Sequence, residues 1–400
     1  MRRLLLTALP LVLAGCGLEG TDTDKDDEET PVAQAPADPD FAPFEIADLA
    51  DPEQRPEMQL QIVLDALGFG PGVVDGTMGL STVNALKGFQ EANGLDVSGE
   101  LDDETRAALA RWSRVPATRV VRIPESWSEI AYQAVPDEPE DQATLEHLGY
   151  ENLAEKLAER FHTTPEVLRA LNPDGRPAGS PAADETAAPA EASTADVPAY
   201  PPRTRVTPTP LPTGAAADEA PAFRPGQLVR VPNVGLDAAP SASDDDREWQ
   251  RTLASLGVAA DQPDAARIVV DKSEGTLRAF DESDRLIALF TVTTGSEHDP
   301  LPLGEWKILG VSKNPPFHYN PDLFWDAAAT DEKATLPPGP NGPVGVVWID
   351  LSKEHYGIHG TPEPQTIGRA ESHGCVRLAN WDAARLAQMT DGSTQVVFQA

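Results

Sequence analysis

One thiol in this chain stands where chemistry would use it. Cys375 occupies the run Ser372-His373-Gly374-Cys375-Val376-Arg377-Leu378, and His359, in Tyr356-Gly357-Ile358-His359-Gly360-Thr361, lies sixteen positions upstream. A free thiol is only a few per cent thiolate at neutral pH, so a nucleophilic cysteine needs a base or a cation beside it. His359 is the candidate base and later proton donor. An imidazolium next to the sulfur would hold an ion pair ready before substrate arrives. Gly360 leaves room for a backbone carbonyl to approach the far ring nitrogen and fix the tautomer. Gly374 clears space for a substrate carbonyl near the amides of 374 and 375, which would serve as an oxyanion hole. His373 either lines that hole or holds the loop. No metal and no cofactor are expected: Cys375 has no second cysteine partner in the mature chain, and no carboxylate stands in ligand spacing with His359 and His373.

These residues resemble the signature of the L,D-transpeptidases, the YkuD family: a His-Gly, a gap, then Ser-His-Gly-Cys and, one residue later, Arg or Asn. Twelve residues separate His359 from Ser372. The likeness runs from about 266 to 399 and takes in Gly295-Ser296-Glu297-His298-Asp299-Pro300, Asn314 through Pro321, and Pro337 through Gly345. It implies Cys375 as nucleophile, His359 as general base, the Gly360 carbonyl as its orienter, and Arg377 as a group that organises the pocket or meets a substrate carboxylate. Ser372, His373 and Gly374 complete the loop. It also implies acyl transfer on peptidoglycan stem peptides through a Cys thioester, forming crosslinks, by an enzyme that carbapenems acylate. The alternatives pass the same thioester to water, to a free D-amino acid or to the lysine of an envelope lipoprotein. Other classes are a wall-binding tether without activity and a cysteine endopeptidase of another fold.

The elements that must hold the pair read as strands. Arg267 to Asp271, Thr276 to Phe280, Leu286 to Thr294, Glu305 to Val311, Val346 to Leu351 and Gln395 to Phe398 are β-rich runs separated by turn residues. One helix is expected from Asn380 as N-cap to about Met389. The spacing favours a compact, mostly antiparallel sheet structure, and the resemblance implies a β-sandwich with the cysteine loop at one end. Pro315 to Gly345 is too long and proline-rich for a plain hairpin and reads as a lid over the cleft. Of its aromatic residues, Phe317, Phe324 and Trp325 are expected to pack the loop. His318, Tyr319, Trp348 and Tyr356 are the side chains expected to touch substrate.

The rest of the chain reads as delivery and wall binding within a multidomain α+β protein. Arg2 and Arg3 precede an apolar run from Leu4 to Leu13, which reads as a signal peptide (1–15) rather than a membrane span. Leu13-Ala14-Gly15-Cys16 reads as a lipobox, with lipids on Cys16 giving a membrane anchor. Gly17 stands where the inner-membrane retention signal of lipoproteins has Asp, so the expected location is the periplasm, on the outer membrane. Residues 16–50 are an acidic tether. In 51–113, Leu60, Val63, Leu64 and Leu67 share a helical face, Val83, Leu86 and Phe89 mark a middle helix, and Thr105, Ala108, Leu109 and Trp112 a third. With the turns Asp75-Gly76 and Ser98-Gly99, this stretch resembles the peptidoglycan-binding domain type 1. A connector (114–144) leads to a module (145–235) with helices around Leu153–Phe161 and Thr164–Leu171 and a closing strand at Leu228–Pro232. That module resembles the LysM βααβ unit, split by a Pro- and Ala-rich insert (174–222) and with no evident first strand. A linker (236–264) precedes the catalytic domain (265–400). The net charge of −34 excludes a nucleic-acid partner.

Overall fold

The computed structural model describes residues 38–180, 223–235, 246–323, 330 and 332–400. The signal peptide, Cys16, the insert from 181 onward, Phe324 and Trp325 lie outside the described residues.

The C-terminal third is built on one nine-stranded sheet. Its order is Val376–Arg377, Gly357–His359, Val347–Leu351, Gly304–Lys313, Gln395–Gln399, Arg267–Asp271, Thr276–Phe280, Leu286–Thr291 and, from far upstream, Phe69–Gly70. Pairings are antiparallel except at three places: Gly357–His359 with Val376–Arg377, Arg267–Asp271 with Gln395–Gln399, and Phe69–Gly70 with Leu289–Phe290. The β-branched and aromatic residues anticipated as strands alternate inward, and Ile268, Val270, Leu277, Ala279, Val347, Ile349 and Val396 form the core. The helix Asn380–Met389 buries Trp381, Ala384 and Leu386 in the same cluster.

The three helices of the first module run Pro56–Ala66, Leu80–Ala92 and Asp103–Leu109. Proline opens the first of them in the first turn, where its missing N–H costs nothing. Asp102 caps the third by accepting the Thr105 N–H at 2.7 Å. The two expected reversals have Gly76 at φ +76° and Gly99 at φ +72°. Each is tied by a buried glutamine: Gly76 N–H donates to Gln61 Oε1 at 2.7 Å, and Gly99 N–H to Gln90 Oε1 at 2.8 Å. This module is not a free bead. Phe69, Leu86 and Phe89 share a core with Leu286 and Leu289 of the catalytic sheet.

The second module corrects the boundaries expected from sequence. The first strand that its pattern lacked is Thr118–Arg122, within the stretch taken as a connector, and it pairs antiparallel with Leu228–Pro232. Alternation of Val121 and Val229 toward Leu157, Phe161 and Leu168 explains why these short runs pair across such a distance in sequence. The tether reading also ends early. Glu45–Ala47 adds a third strand to this sheet. Likewise the 236–264 linker contains the helix Arg247–Leu256, capped by Asp246 and closed by Gly257 at φ +69°. Its Trp249, Leu253 and Leu256 are buried in the catalytic core, so burial overrides the polar signal of the preceding acids.

A buried polar junction joins all three parts. Asp65 of the first module accepts from Arg385 Nη2 at 2.6 Å and lies 3.3 Å from His162 Nδ1 of the second. The His162 ring stacks on Trp381 with centroids 5.0 Å apart. Burial would raise the Asp65 carboxyl, but Arg385 and His162 outweigh it and hold it well below the usual range.

Candidate active site

Strand pairing sets His359 beside Arg377, and Cys375 lies just before that short strand. Gly357–His359 runs parallel to Val376–Arg377, with Ile358 opposite Val376 and His359 opposite Arg377. Ile358 and Val376 are fully buried and face the core. By the two-residue alternation of a strand, His359 and Arg377 point to the other side, and Cys375, in the bend just before, lines the same cavity as both. Trp348 lies opposite His359 on the next strand and stacks on its ring at 5.6 Å and 24°. These side chains form one wall of a cavity of about 730 Å³, a size suited to a peptide ligand. The hairpin Phe317–Tyr319 with Ala334–Leu336, inside the stretch read as a lid, forms the facing wall.

The imidazole's tautomer follows from one hydrogen bond. His359 Nδ1 lies 2.7 Å from the Gly360 carbonyl oxygen, which only accepts, so Nδ1 carries the hydrogen and Nε2 is the basic nitrogen. Burial, and then the positive charge of Arg377, push His359 down to about 4, against the opposing effect of the Gly360 bond. Burial pushes the half-buried Cys375 thiol up, while the Gly357 N–H and Arg377 pull it the other way. Both groups are therefore neutral at rest. The ion pair expected from sequence is opposed by desolvation, and the proton must leave the sulfur as the carbon–sulfur bond forms.

The remaining signature residues brace the loop. Ser372 Oγ donates to the Cys375 carbonyl at 2.6 Å, closing the turn on itself. Gly374 has φ +95°, and a Cβ there would lie 2.6 Å from the Tyr356 ring, so only glycine fits. Tyr356 thus packs on the cysteine loop as well as lining the cavity. The thiol points toward the His355 carbonyl at 3.8 Å. Arg377 N–H donates to the Thr293 carbonyl at 2.9 Å. His373, His318 and Tyr319 line the cavity, and His318 Nδ1 is 3.2 Å from Thr335 Oγ1. Among the described residues no three His, Cys, Asp or Glu side chains group as a metal site.

Sequence reasoning missed two positioning residues. Asn380 is the first helical residue rather than the N-cap, which is Ala379. Its Oδ1 fills the space that a Cβ on Gly345 or Gly360 would need, at 1.9 and 2.2 Å respectively. Its Nδ2 donates to Glu159 Oε1 of the second module at 2.7 Å and to the Pro340 carbonyl at 3.0 Å. Burial pushes Glu159 up to about 7. The glycines at 345 and 360 hinted at a close approach there. Nothing in the spacing pointed to Glu159.

Two parts of the chain match known protein families. Residues 265–398 match the family described as "YkuD: L,D-transpeptidase catalytic domain", and residues 58–109 match the "Putative peptidoglycan binding domain". Residues 265–398, mostly β sheet, thus resemble a YkuD-type catalytic domain, and the helical residues 58–109 a peptidoglycan-binding domain, within an α+β chain. Over 130 residues the chain is 35% identical to the "Putative L,D-transpeptidase YkuD" of Bacillus licheniformis, covering 32% of this chain and 63% of that protein. The Bacillus subtilis protein of the same name is 32% identical over 114 residues, 28% of this chain and 54% of its own length. The chain therefore spans less than two thirds of these relatives. A solved L,D-transpeptidase (Yku) from Stackebrandtia nassauensis aligns with 40% of this chain and 68% of its own at 20% identity, with a TM-score of 0.26.

Proposed function

We propose that the protein is a murein L,D-transpeptidase that crosslinks peptidoglycan stems through a thioester on Cys375. The observation that supports this reading is that His359, Cys375 and Arg377 line one cavity, with His359 Nδ1 held 2.7 Å from the Gly360 carbonyl oxygen. In the donor half-reaction His359 Nε2 takes the thiol proton as sulfur attacks the carbonyl of the third stem residue. The same proton then passes to the departing D-alanine amine as the C–N bond breaks. Arg377 meets a donor carboxylate, and the amides of 374 and 375 receive the developing oxyanion. An amine of a neighbouring stem then attacks the thioester, and His359 carries its proton back to the sulfur. The lid favours transfer over hydrolysis by excluding water.

The front of the chain serves the same end. The helical module holds glycan or stem near the cleft, and the β-α-α-β arrangement of Thr118–Arg122, Leu153–Arg160, Pro165–Leu171 and Leu228–Pro232 supports a LysM-like role for the second. The leader and Cys16 would place the protein in the periplasm as a lipoprotein anchored to the outer membrane. Muropeptide analysis after incubation with disaccharide tetrapeptide tests the reading. Tetra-tri dimers are expected, whereas tripeptide alone would mark a carboxypeptidase. No product above that of Cys375→Ala would reject the enzyme. Carbapenem should add its mass to Cys375 in the parent only.

A further inference from the structure

Asp299 lines the same cavity as Cys375. Its Oδ2 is out of contact with water and has no hydrogen-bond partner among the described residues. Asp382 Oδ1, buried on the Asn380–Met389 helix, is the other carboxylate oxygen without a partner among the described residues, but it does not line this cavity; Asp271 is satisfied on both oxygens. Asp271 Oδ1 accepts from Ser273 Oγ and from the Glu274 N–H, and its Oδ2 accepts from Gln399 Nε2. An anionic oxygen left without a donor is costly unless a cation arrives to meet it.

The position of Asp299 relative to the sulfur is fixed by backbone. Gly295 bridges to Ser372, Ser296 N–H donates to the Ser372 carbonyl at 3.1 Å, and Ser372 N–H donates to the Thr294 carbonyl at 3.2 Å. The Asp299 N–H donates to Ser296 Oγ at 3.1 Å, which closes the loop. A Cβ on Gly295 would lie 2.1 Å from the Asp299 carbonyl and 2.9 Å from Gly374 Cα, so the loop lies directly against the cysteine turn. Tyr356 stands close to both: its hydroxyl is pushed up by burial first, and then by the negative charges of Asp299 and Cys375. Of the other acids at the cavity, Glu354 lies 3.6 Å from His355, and Asp137 sits on the segment before the second module's helices.

We propose that Asp299 docks the acyl acceptor, its carboxylate receiving the ammonium group of the incoming stem amine while Arg377 holds the donor. This deepens the transpeptidase reading and rests on it. The docked ammonium gives one proton to solvent, the freed amine nitrogen attacks the thioester carbon, and the C–N bond forms as the C–S bond breaks. The second amine proton passes through His359 Nε2 to the departing sulfur. Water, being uncharged, gains nothing from Asp299, so the carboxylate biases transfer over hydrolysis.

The test compares the full-length parent, Asp299→Asn and Asp299→Glu with disaccharide tetrapeptide, scoring dimer against tripeptide as substrate concentration rises. The expected result for Asp299→Asn is a dimer-to-tripeptide ratio lower by about tenfold, recovering as acceptor is raised, because one charge-assisted contact is lost. Thioester formation with carbapenem should stay within a factor of about two, and Asp299→Glu should restore part of the ratio. An unchanged ratio overturns the proposal. So does a fall in carbapenem acylation that parallels the loss of dimer. If the parent itself gives no adduct on Cys375, the transpeptidase reading fails and this one with it. An adduct with an unchanged ratio removes Asp299 alone.

Discussion

Acidifying the protein should titrate His359 at an unusually low pH. Its pKa is pushed from 6.5 down to about 4, so at pH 7 roughly one molecule in a thousand carries the imidazolium, and protonating it there costs about 4 kcal/mol. The folded value lies below the unfolded one, so the unfolded chain takes up this proton first. Stability contributed by the neutral ring is complete above pH 6.5 and is lost as pH falls through about 4, a loss of roughly 3 kcal/mol in all. The acylation rate should follow the same group. Measured by intact mass with a carbapenem across pH 4 to 9, the acid limb should fall near the low end, with histidine NMR reporting the same midpoint for His359. Alkylation of Cys375 should climb with pH above the ordinary thiol range, because burial raises the thiol. Arg377→Gln should move the His359 midpoint upward but leave it below 6.5, since burial is the larger cause. A midpoint at or above 6.5 in the parent, or an alkylation rate already level below pH 7, would refute the neutral pair and restore the ion pair.

Two further perturbations probe the brace behind the base. Glu159 is pushed up to about 7 by burial, so the stability its neutral form contributes is complete below 4.5 and lost as pH rises through 7. Glu159→Gln should therefore raise the unfolding temperature at pH 8 and not at pH 5, by roughly 1–3 kcal/mol of stability; equal shifts at both would contradict this. Gly360→Ala drives a Cβ to 2.2 Å from Asn380 Oδ1 and should displace the peptide that fixes the His359 tautomer. Carbapenem acylation is expected to drop on the order of 10² fold while the circular dichroism spectrum is kept; a loss under threefold would separate Gly360 from catalysis.

The parts legible in sequence are those with local physical causes. The runs Arg267–Asp271 and Thr276–Phe280 carry their alternation on their face, and the structure ends both strands at those residues. The Asp75-Gly76 and Ser98-Gly99 turns require positive φ, and glycine announces it. The cysteine and histidine stood out in the sequence by residue type and motif, and both line the one cavity. The strand Thr118–Arg122 was not legible, because its partner lies beyond a long insert and five residues carry too little pattern. The Arg247–Leu256 helix was hidden by the acids before it, although Trp249, Leu253 and Leu256 mark its buried face. Asn380 and Glu159 were invisible in their roles, since a contact between modules leaves no periodicity in either.

The thioester itself is the most direct test of the whole account. Parent enzyme and Cys375→Ala would be mixed with disaccharide tetrapeptide and quenched in acid, and both protein mass and free D-alanine would be followed. An adduct on Cys375 equal to the disaccharide tripeptide acyl group is expected, with D-alanine released in step and neither seen in the variant. D-Alanine released by Cys375→Ala at the parent's rate, or released by the parent with no adduct at any time, would contradict it.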